Sequence, residues 1–182
     1  MTSYLVVSAT RAEARYAPAG WDVLVTGVGK VAAATVTAQA LATRDTRDLM
    51  VVNVGSAGAL RDGLTGVFTP GTVLNHDMNA DLIRSLGLDP VETIEVPGGD
   101  GTVLASGDTF VVDPVIRERL AQRAHLVDME AYGVAFVCRH FGVPVKVVKH
   151  VSDKADESAL DWPDLVDSSA RALGEWLRAW QA

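Results

Sequence analysis

Short apolar runs rich in β-branched residues alternate with helical patterns along this chain, and this alternation constrains its fold more than any other feature. Each run is short and bounded by Gly, Pro or polar residues, as is typical of buried strands. The predicted strands cover residues 4–8, 22–26, 50–54, 72–75, 126–128 and 145–151, and the predicted helices cover residues 30–44, 114–123 and 131–141. This order predicts an α/β fold, a three-layer sandwich in which helices flank a central mixed β-sheet.

Two further segments complete the predicted pattern. Residues 91–96 and 102–105 flank the sequence Pro-Gly-Gly-Asp-Gly, which predicts a hairpin. A last helix is predicted to begin at Trp162 and Pro163, because proline suits the first helical turn. Its apolar residues are Leu165, Val166, Leu173, Trp176, Leu177 and Trp180. They fall on one helical face, so we expect this helix to cover the sheet.

Composition and charge narrow the class of function. Because 48% of the 182 residues are hydrophobic and 21% are charged, we expect residues 1–182 to form a single soluble globular domain. The formal net charge of −7, without a cluster of Lys and Arg, argues against nucleic acid as a partner. No apolar run reaches the ~18 residues that a membrane helix needs, so no membrane partner is expected either.

The single cysteine, Cys138, excludes an internal disulfide, and its apolar neighbours predict a buried helix position. Neither Cys138 nor the four His residues show metal-ligand spacings, so the sequence predicts no metal site. The N-terminus lacks the charged and apolar regions of a signal peptide. With one thiol, this pattern predicts a cytoplasmic protein.

Polar residues stand where predicted strands end, namely Ser56, Asp108, Glu130 and Asp153. In open α/β sheets, ligands bind beyond the carboxyl ends of strands, where several loops converge. The sequence therefore predicts that these side chains line one cleft. For any one of them alone, a helix cap or a solvated turn is the simpler interpretation.

Two glycine-rich segments are candidate nucleotide-binding motifs. Residues 27–32 fit G-x-G-x-x-[GA], which can hold a pyrophosphate at a helix N-terminus. A dinucleotide site also needs an acid at the end of the next strand, yet that strand ends Asn53-Val54-Gly55. The second segment, residues 53–58, has small residues that let a ligand approach the backbone, but alone it predicts only a turn.

Taken together, several motifs resemble a known family. In chain order they are "TGVGKVAAA", "VVNVGSAGAL", "LASGDTFV", "VDMEAYGVAFVCRHFGVPVKVV" and "VSDKAD". They resemble the motifs of the methylthioadenosine/S-adenosylhomocysteine nucleosidases, within the purine nucleoside phosphorylase superfamily. The resemblance implies a nucleoside phosphorylase-like sandwich that binds a small-molecule purine nucleoside and hydrolyses its N-glycosidic bond. It also implies a homodimer and no organic cofactor or metal.

The resemblance assigns the chemical roles to three carboxylates. Asp153 matches the acid that protonates the purine at N7, which is needed because the base leaves badly as an anion. Glu13 lies in the N-terminal segment "VVSATRAEA", which resembles the family's first strand and the acidic turn after it, and it matches the carboxylate that positions and deprotonates the attacking water. Glu130 matches the residue that grips the ribose hydroxyls and stabilises positive charge on the sugar. The competing interpretation of Glu13 is an exposed turn, residues 11–15, whose charged side chains form surface pairs.

The remaining substrate-binding residues implied by the resemblance surround these carboxylates. Phe110 stacks on the base, and the backbone at Val111 reads its edge. Met129 lies beneath the sugar, Ser56 lies near the water and ribose, and Ser152 precedes the acid. For Phe110 and Met129, packing in the core is the competing interpretation.

Three positions depart from the family and keep alternatives open. Lys149 stands where the family usually has Arg, and Lys lacks the bidentate fork of a guanidinium. Thr10 and Arg11 stand where the family has apolar residues around the 5′-alkylthio group, so a polar 5′ substituent, as in futalosine hydrolases, is an alternative. Two alternative functions also stay open, namely a purine nucleoside phosphorylase and a nucleoside-binding protein without turnover. Phosphorylases of the superfamily carry Arg where this chain has Asn53, which favours water over phosphate as the nucleophile.

Overall fold

The computed structural model describes residues 2–181, in which nine strands form one sheet surrounded by five α-helices. The strands are β1 (Ser3–Ser8), β2 (Asp22–Val25), β3 (Leu49–Ala59), β4 (Val67–Phe68), β5 (Thr72–Asn75), β6 (Thr93–Glu95), β7 (Val103–Ser106), β8 (Leu126–Asp128) and β9 (Val145–Asp153). The helices are α1 (Lys30–Ala42), α2 (Ala80–Ser85), α3 (Pro114–Ala121), α4 (Ala131–Phe141) and α5 (Trp162–Gln181), and a 3₁₀ turn, Glu157–Asp161, precedes α5.

The sheet is mixed, as predicted. Its main path runs β2-β1-β3-β8-β7-β5-β6, and β9 pairs with both β3 and β4. β1 is parallel to β2 and β3, and β9 is parallel to β3, whereas the end of β3 pairs antiparallel with β8. β3 therefore connects the two halves of the sheet.

Alternate residues of the same strands face opposite helical layers, which produces the predicted three layers. Leu5 and Val7 of β1 pack in a cluster with buried residues of α1 and α4. Val6, between them, packs in a second cluster with Leu173 and Leu177 of α5. The prediction that the last helix covers the sheet is thereby confirmed.

Two predictions about strands are wrong. The predicted hairpin does not form, because β6 and β7 both pair with β5 and lie on opposite sides of it. The predicted strand 50–54 continues to Ala59, so the segment interpreted as a turn is part of β3. Its small residues remain extended because β9 pairs with β3 up to Ala57, where the register shifts.

Two features of single elements complete the fold. Cys138 is free and buried in α4, and burial raises the pKa of its thiol to about 12, as suits a packing residue. Among residues 2–181, no helix has the length and apolar character required to cross a membrane.

Candidate active site

A cavity of about 190 Å³ opens where the ends of β3 and β9 meet the loops that follow β1, β7 and β8. All of the predicted site residues line it, namely Glu13, Ser56, Phe110, Val111, Met129, Glu130, Ser152 and Asp153. Asp108, predicted to join them, is not among the lining residues. The folded chain thus gathers into one cavity side chains that are distant in sequence.

Glu13 is held in the cavity wall by hydrogen bonds to both carboxylate oxygens. Only 5% of this residue is exposed. Oε1 accepts hydrogen bonds from the backbone N–H and the hydroxyl of Ser56, both at 2.9 Å. Oε2 accepts from the backbone N–H of Thr10 at 3.2 Å and from its hydroxyl at 2.9 Å. The alternative of an exposed turn is therefore wrong, because the Glu13 carboxylate is buried and fixed in orientation.

Asp153 is the last residue of β9, and its carboxylate is fixed by its neighbours in sequence. The Ser152 hydroxyl donates to Oδ2 at 2.6 Å, and the Ala155 N–H donates to Oδ1 at 2.8 Å. Gly58 of β3 makes room for this arrangement, since a Cβ there would lie 2.9 Å from Asp153 Oδ1 and from Ala155 Cβ. A side chain at Gly58 would displace the carboxylate.

Asp128, which lines the cavity, forms a buried ion pair with Lys149, which lies behind the cavity wall. Lys149 Nζ lies 2.8 Å from Asp128 Oδ2, and each side chain is 1% exposed. The same Oδ2 accepts the N–H of Ala131 at 2.9 Å, which ties the pair to the start of α4. Burial alone lowers the pKa of Lys149, but the charges of Asp128 and Glu130 outweigh burial and raise it. Lys149 is therefore positively charged, and the carboxylate of Asp128 balances its charge.

Glu130 precedes α4, lines the cavity and contacts the glycine-rich turn before α1. Its Oε1 accepts the backbone N–H of Gly29, at the start of α1, at 2.8 Å. Burial raises the pKa of Glu130 to about 7, and the carboxylate of Asp128 adds to this effect. Lys149 and the Gly29 N–H act in the opposite direction. The glycine-rich turn, a possible pyrophosphate site by its sequence, thus donates a backbone hydrogen bond from Gly29 to the side chain of Glu130.

The loop after β7 contributes the aromatic side of the cavity. Phe110 is 50% exposed, whereas Val111 is 5% exposed. Asp108 anchors this loop from outside the cavity, because its Oδ1 accepts the N–H of Lys30 at 2.8 Å and its own N–H donates to Asp77 at 2.8 Å. An exposed phenyl ring at a cavity mouth can stack on a planar base, so core packing does not account for Phe110.

The cavity wall is acidic. Four of its lining residues in the described part of the chain are acids, Glu13, Asp128, Glu130 and Asp153, and none is Lys, Arg or His. Arg11, next to the lining residue Thr10, is exposed in a turn and is not part of the wall. No group of three potential metal ligands occurs within residues 2–181. The arrangement can provide proton donors and acceptors to a ligand that is neutral or positively charged.

Sequence reasoning missed two residues of the site. Trp162, interpreted only as the start of the last helix, lines the cavity and donates a hydrogen bond from Nε1 to Ser56 Oγ at 2.8 Å. No local pattern indicates this contact, since the partners lie 106 positions apart. The sequence pattern predicts only that Asp128 ends a strand, and it does not predict the ion pair with Lys149. An acid that ends a fully apolar run is a signal for such a buried pair.

Comparison with known proteins identifies similar chains. A family model described as "Phosphorylase superfamily" matches residues 97–178. A 5′-methylthioadenosine/S-adenosylhomocysteine nucleosidase of Shewanella sp. strain W3-18-1 is 30% identical, over 81% of this chain and 75% of that protein. An aminodeoxyfutalosine nucleosidase of Helicobacter pylori strain J99 is 40% identical over a shorter match, which spans 42% of this chain and 35% of that protein.

Solved structures show the same architecture. A 5′-methylthioadenosine/S-adenosylhomocysteine nucleosidase from Helicobacter pylori with butyl-thio-DADMe-Immucillin-A is 26% identical, with a TM-score of 0.83 over 98% of this chain and 97% of that one. A mutant of the Helicobacter pylori nucleosidase with 5′-methylthioadenosine in its active site is 25% identical, with the same TM-score of 0.83.

Proposed function

Because this chain belongs to the 5′-methylthioadenosine/S-adenosylhomocysteine nucleosidase family, as its sequence motifs predicted, we propose that it hydrolyses a purine nucleoside. The reaction cleaves the N-glycosidic bond and releases the free base and a ribose product. The observation that carries the proposal is that both predicted catalytic carboxylates, Glu13 and Asp153, line the same cavity, whose wall includes no basic side chain from the described residues 2–181. The unit that acts is the single domain predicted for residues 1–182.

Asp153 is the proposed general acid. The purine leaves as a neutral base only if a proton reaches it while the bond to the sugar breaks. The Ser152 hydroxyl and the Ala155 N–H hold the carboxyl group of Asp153 in one orientation at the cavity wall. Phe110 at the cavity mouth is the proposed stacking surface for the base, and the adjacent backbone at Val111 is proposed to read its edge.

Glu13 is the proposed general base. As the glycosidic bond breaks, positive charge develops on the sugar, and a water molecule attacks the anomeric carbon. A carboxylate with a fixed orientation can accept a hydrogen bond from this water and then its proton. The hydrogen bonds from Thr10 and Ser56 supply that orientation. Acid and base on two sides of the scissile bond correspond to an inverting arrangement.

Glu130 is the proposed ligand of the ribose hydroxyls. Burial and the neighbouring carboxylate of Asp128 raise the pKa of Glu130 to about 7, so its negative charge is held at a cost. Two hydroxyl donors and a sugar with oxocarbenium character would stabilise the ionised form, which is the form that favours the transition state. Met129, in the adjacent wall, is the proposed apolar support beneath the sugar.

Water, not phosphate, is the proposed nucleophile. A phosphate dianion needs a positive partner, but the cavity wall carries acids and no basic side chain among the described residues. Lys149 is committed to Asp128, and Arg11 lies outside the wall. Asn53, at the position of the phosphorylase Arg, is buried and donates to the Val7 carbonyl at 3.1 Å. These contacts support hydrolysis.

A nucleoside with a polar 5′ substituent is the second candidate substrate. The 40% identity to the aminodeoxyfutalosine nucleosidase over 42% of this chain favours it. Release of free base from 5′-methylthioadenosine, S-adenosylhomocysteine and aminodeoxyfutalosine, measured side by side, ranks the candidates. Heat of binding without released base would instead identify a nucleoside-binding protein.

The variant Asp153→Asn tests the acid. The amide keeps the shape of the carboxyl group but cannot supply a proton, so kcat should fall by roughly 10²- to 10⁴-fold while substrate affinity, measured by calorimetry, is retained. Asp156→Asn is the matched control, since Asp156 caps the 3₁₀ turn from outside the cavity wall. Near-normal turnover of Asp153→Asn would remove Asp153 from the mechanism.

We further propose a homodimer in the cytoplasm. The resemblance implies the dimer, and a groove between α1 and α4 offers it apolar surface, because Val31 is 75% and Phe136 is 44% exposed there. Light scattering of Val31→Asp and Phe136→Asp tests this, and dimers of unchanged stability would contradict it.

The cytoplasmic location is supported by the single thiol, Cys138, which is buried and free.

A further inference from the structure

Trp162 connects the last helix to the proposed general base. Its indole Nε1 lies 2.8 Å from the Ser56 hydroxyl oxygen, and that oxygen lies 2.9 Å from Oε1 of Glu13. Both Trp162 and Ser56 line the cavity and are partly buried. The three side chains form a continuous row from the start of α5 to the turn after β1.

The direction of each hydrogen bond in this row is fixed by chemistry. An indole N–H can only donate, so the Ser56 oxygen is the acceptor of the first bond. The ionised carboxylate of Glu13 can only accept, so the single hydroxyl proton of Ser56 is directed at it. A hydroxyl that accepts a hydrogen bond donates more strongly, so the two bonds reinforce each other.

Trp162 also lies on the segment that carries the proposed acid. This segment runs from Asp153 at the end of β9 through the 3₁₀ turn Glu157–Asp161, which the side chain of Asp156 caps, to Trp162 at the start of α5. A movement of this segment would therefore reach both the acid and, through Ser56, the carboxylate of Glu13.

We propose that Trp162 is a positioning residue for Glu13 that acts through the Ser56 hydroxyl, an inference that rests on the proposed hydrolytic function. Its N–H holds the Ser56 oxygen from one side and thereby keeps the hydroxyl proton on Glu13 Oε1. The contribution depends on the indole N–H and not on the aromatic surface that Trp162 presents to the cavity.

A double-mutant cycle separates these two contributions. Trp162→Phe keeps an aromatic ring and removes the N–H, and Ser56→Ala removes the hydroxyl that the N–H contacts. With the nucleoside that the wild-type protein cleaves fastest, Trp162→Phe should lower kcat by roughly 3- to 10-fold, the value of one hydrogen bond, with KM changed by less than about 2-fold. In the Ser56→Ala background the same substitution should have no further effect on kcat.

The outcomes distinguish this inference from the proposed function. Lack of base release by the wild-type protein would refute the function itself. With an active wild type, an equal loss of kcat in both backgrounds, or a rise in KM alone, would overturn the positioning role and leave Trp162 as cavity wall. Trp180→Phe is the control, since Trp180 packs on Trp176 at the far end of α5 and should leave kcat unchanged.

A second measurement leaves Trp162 intact. The chain has four Trp residues, so its ¹⁵N–¹H spectrum shows four indole N–H signals. Ser56→Ala should shift the Trp162 signal towards the frequency of an indole without an acceptor. An unchanged Trp162 signal would show that the Ser56 hydroxyl is not its partner and would overturn the proposal.

Discussion

Replacement of Lys149 by Met should strongly destabilise the protein. The flexible Met side chain fills most of the volume of the Lys stem, but it removes the ammonium 2.8 Å from Asp128. The Asp128 carboxylate, 1% exposed, then remains buried beside Glu130 without a counter-charge. Removing one partner of a buried ion pair costs about 3–5 kcal/mol, which is a large part of the roughly 5–15 kcal/mol that stabilises a typical domain.

Urea unfolding followed by circular dichroism measures this loss. Lys154→Met is the matched control, because Lys154 is exposed and its replacement should change the free energy of unfolding by no more than about 0.5 kcal/mol. Adding Asp128→Asn to Lys149→Met should restore part of the stability, since the amide oxygen can still accept the Ala131 N–H and position 128 no longer carries a buried charge without a partner. Equal stability of Lys149→Met and Lys154→Met would refute the reasoning.

Two further predictions concern Glu130 and Arg11. The pKa of Glu130 is raised from 4.5 to about 7, so the folded state binds this proton more tightly and the contribution of Glu130 to stability falls as pH rises from about 4.5 to 7. Glu130→Gln should thus gain up to about 3 kcal/mol over wild type at pH 8 and nothing at pH 4.5, as measured by urea unfolding, and a constant difference would contradict the shift. Arg11→Met should leave the preference between 5′-methylthioadenosine and a 5′-carboxylate analogue unchanged, since Arg11 is exposed outside the cavity wall. A reversed preference in base-release assays would show that Arg11 reaches the ligand.

The three layers of the fold and the convergence of the site residues in one cavity are both predictable from the alternation of strands and helices. Alternation of strand and helix patterns requires a sheet between helices, and the ends of its strands meet at one edge. Glu13, Glu130 and Asp153 lie near such ends, so their convergence in one cavity follows once the strand order is known. Their chemical roles remain predictions that rest on the family motifs.

Local sequence patterns do not predict which distant segments pair. The segment between β6 and β7 has residues suited to a hairpin turn, but both strands pair with β5 instead of with each other. The small residues of segment 53–58 predict only a turn, yet the hydrogen-bonded pairing with β9 holds the segment extended. Trp162 and the Asp128–Lys149 pair were missed because each contact joins elements that local periodicity cannot relate.

The proposed activation of water and exclusion of phosphate by the acidic cavity are tested most directly by following base release from 5′-methylthioadenosine with the wild-type protein in phosphate-free buffer and in phosphate buffer. ³¹P nuclear magnetic resonance detects any sugar 1-phosphate that forms. We expect equal rates in the two buffers, no sugar 1-phosphate, and loss of base release in Glu13→Gln. Base release that requires phosphate and accumulates a sugar 1-phosphate would contradict the claim.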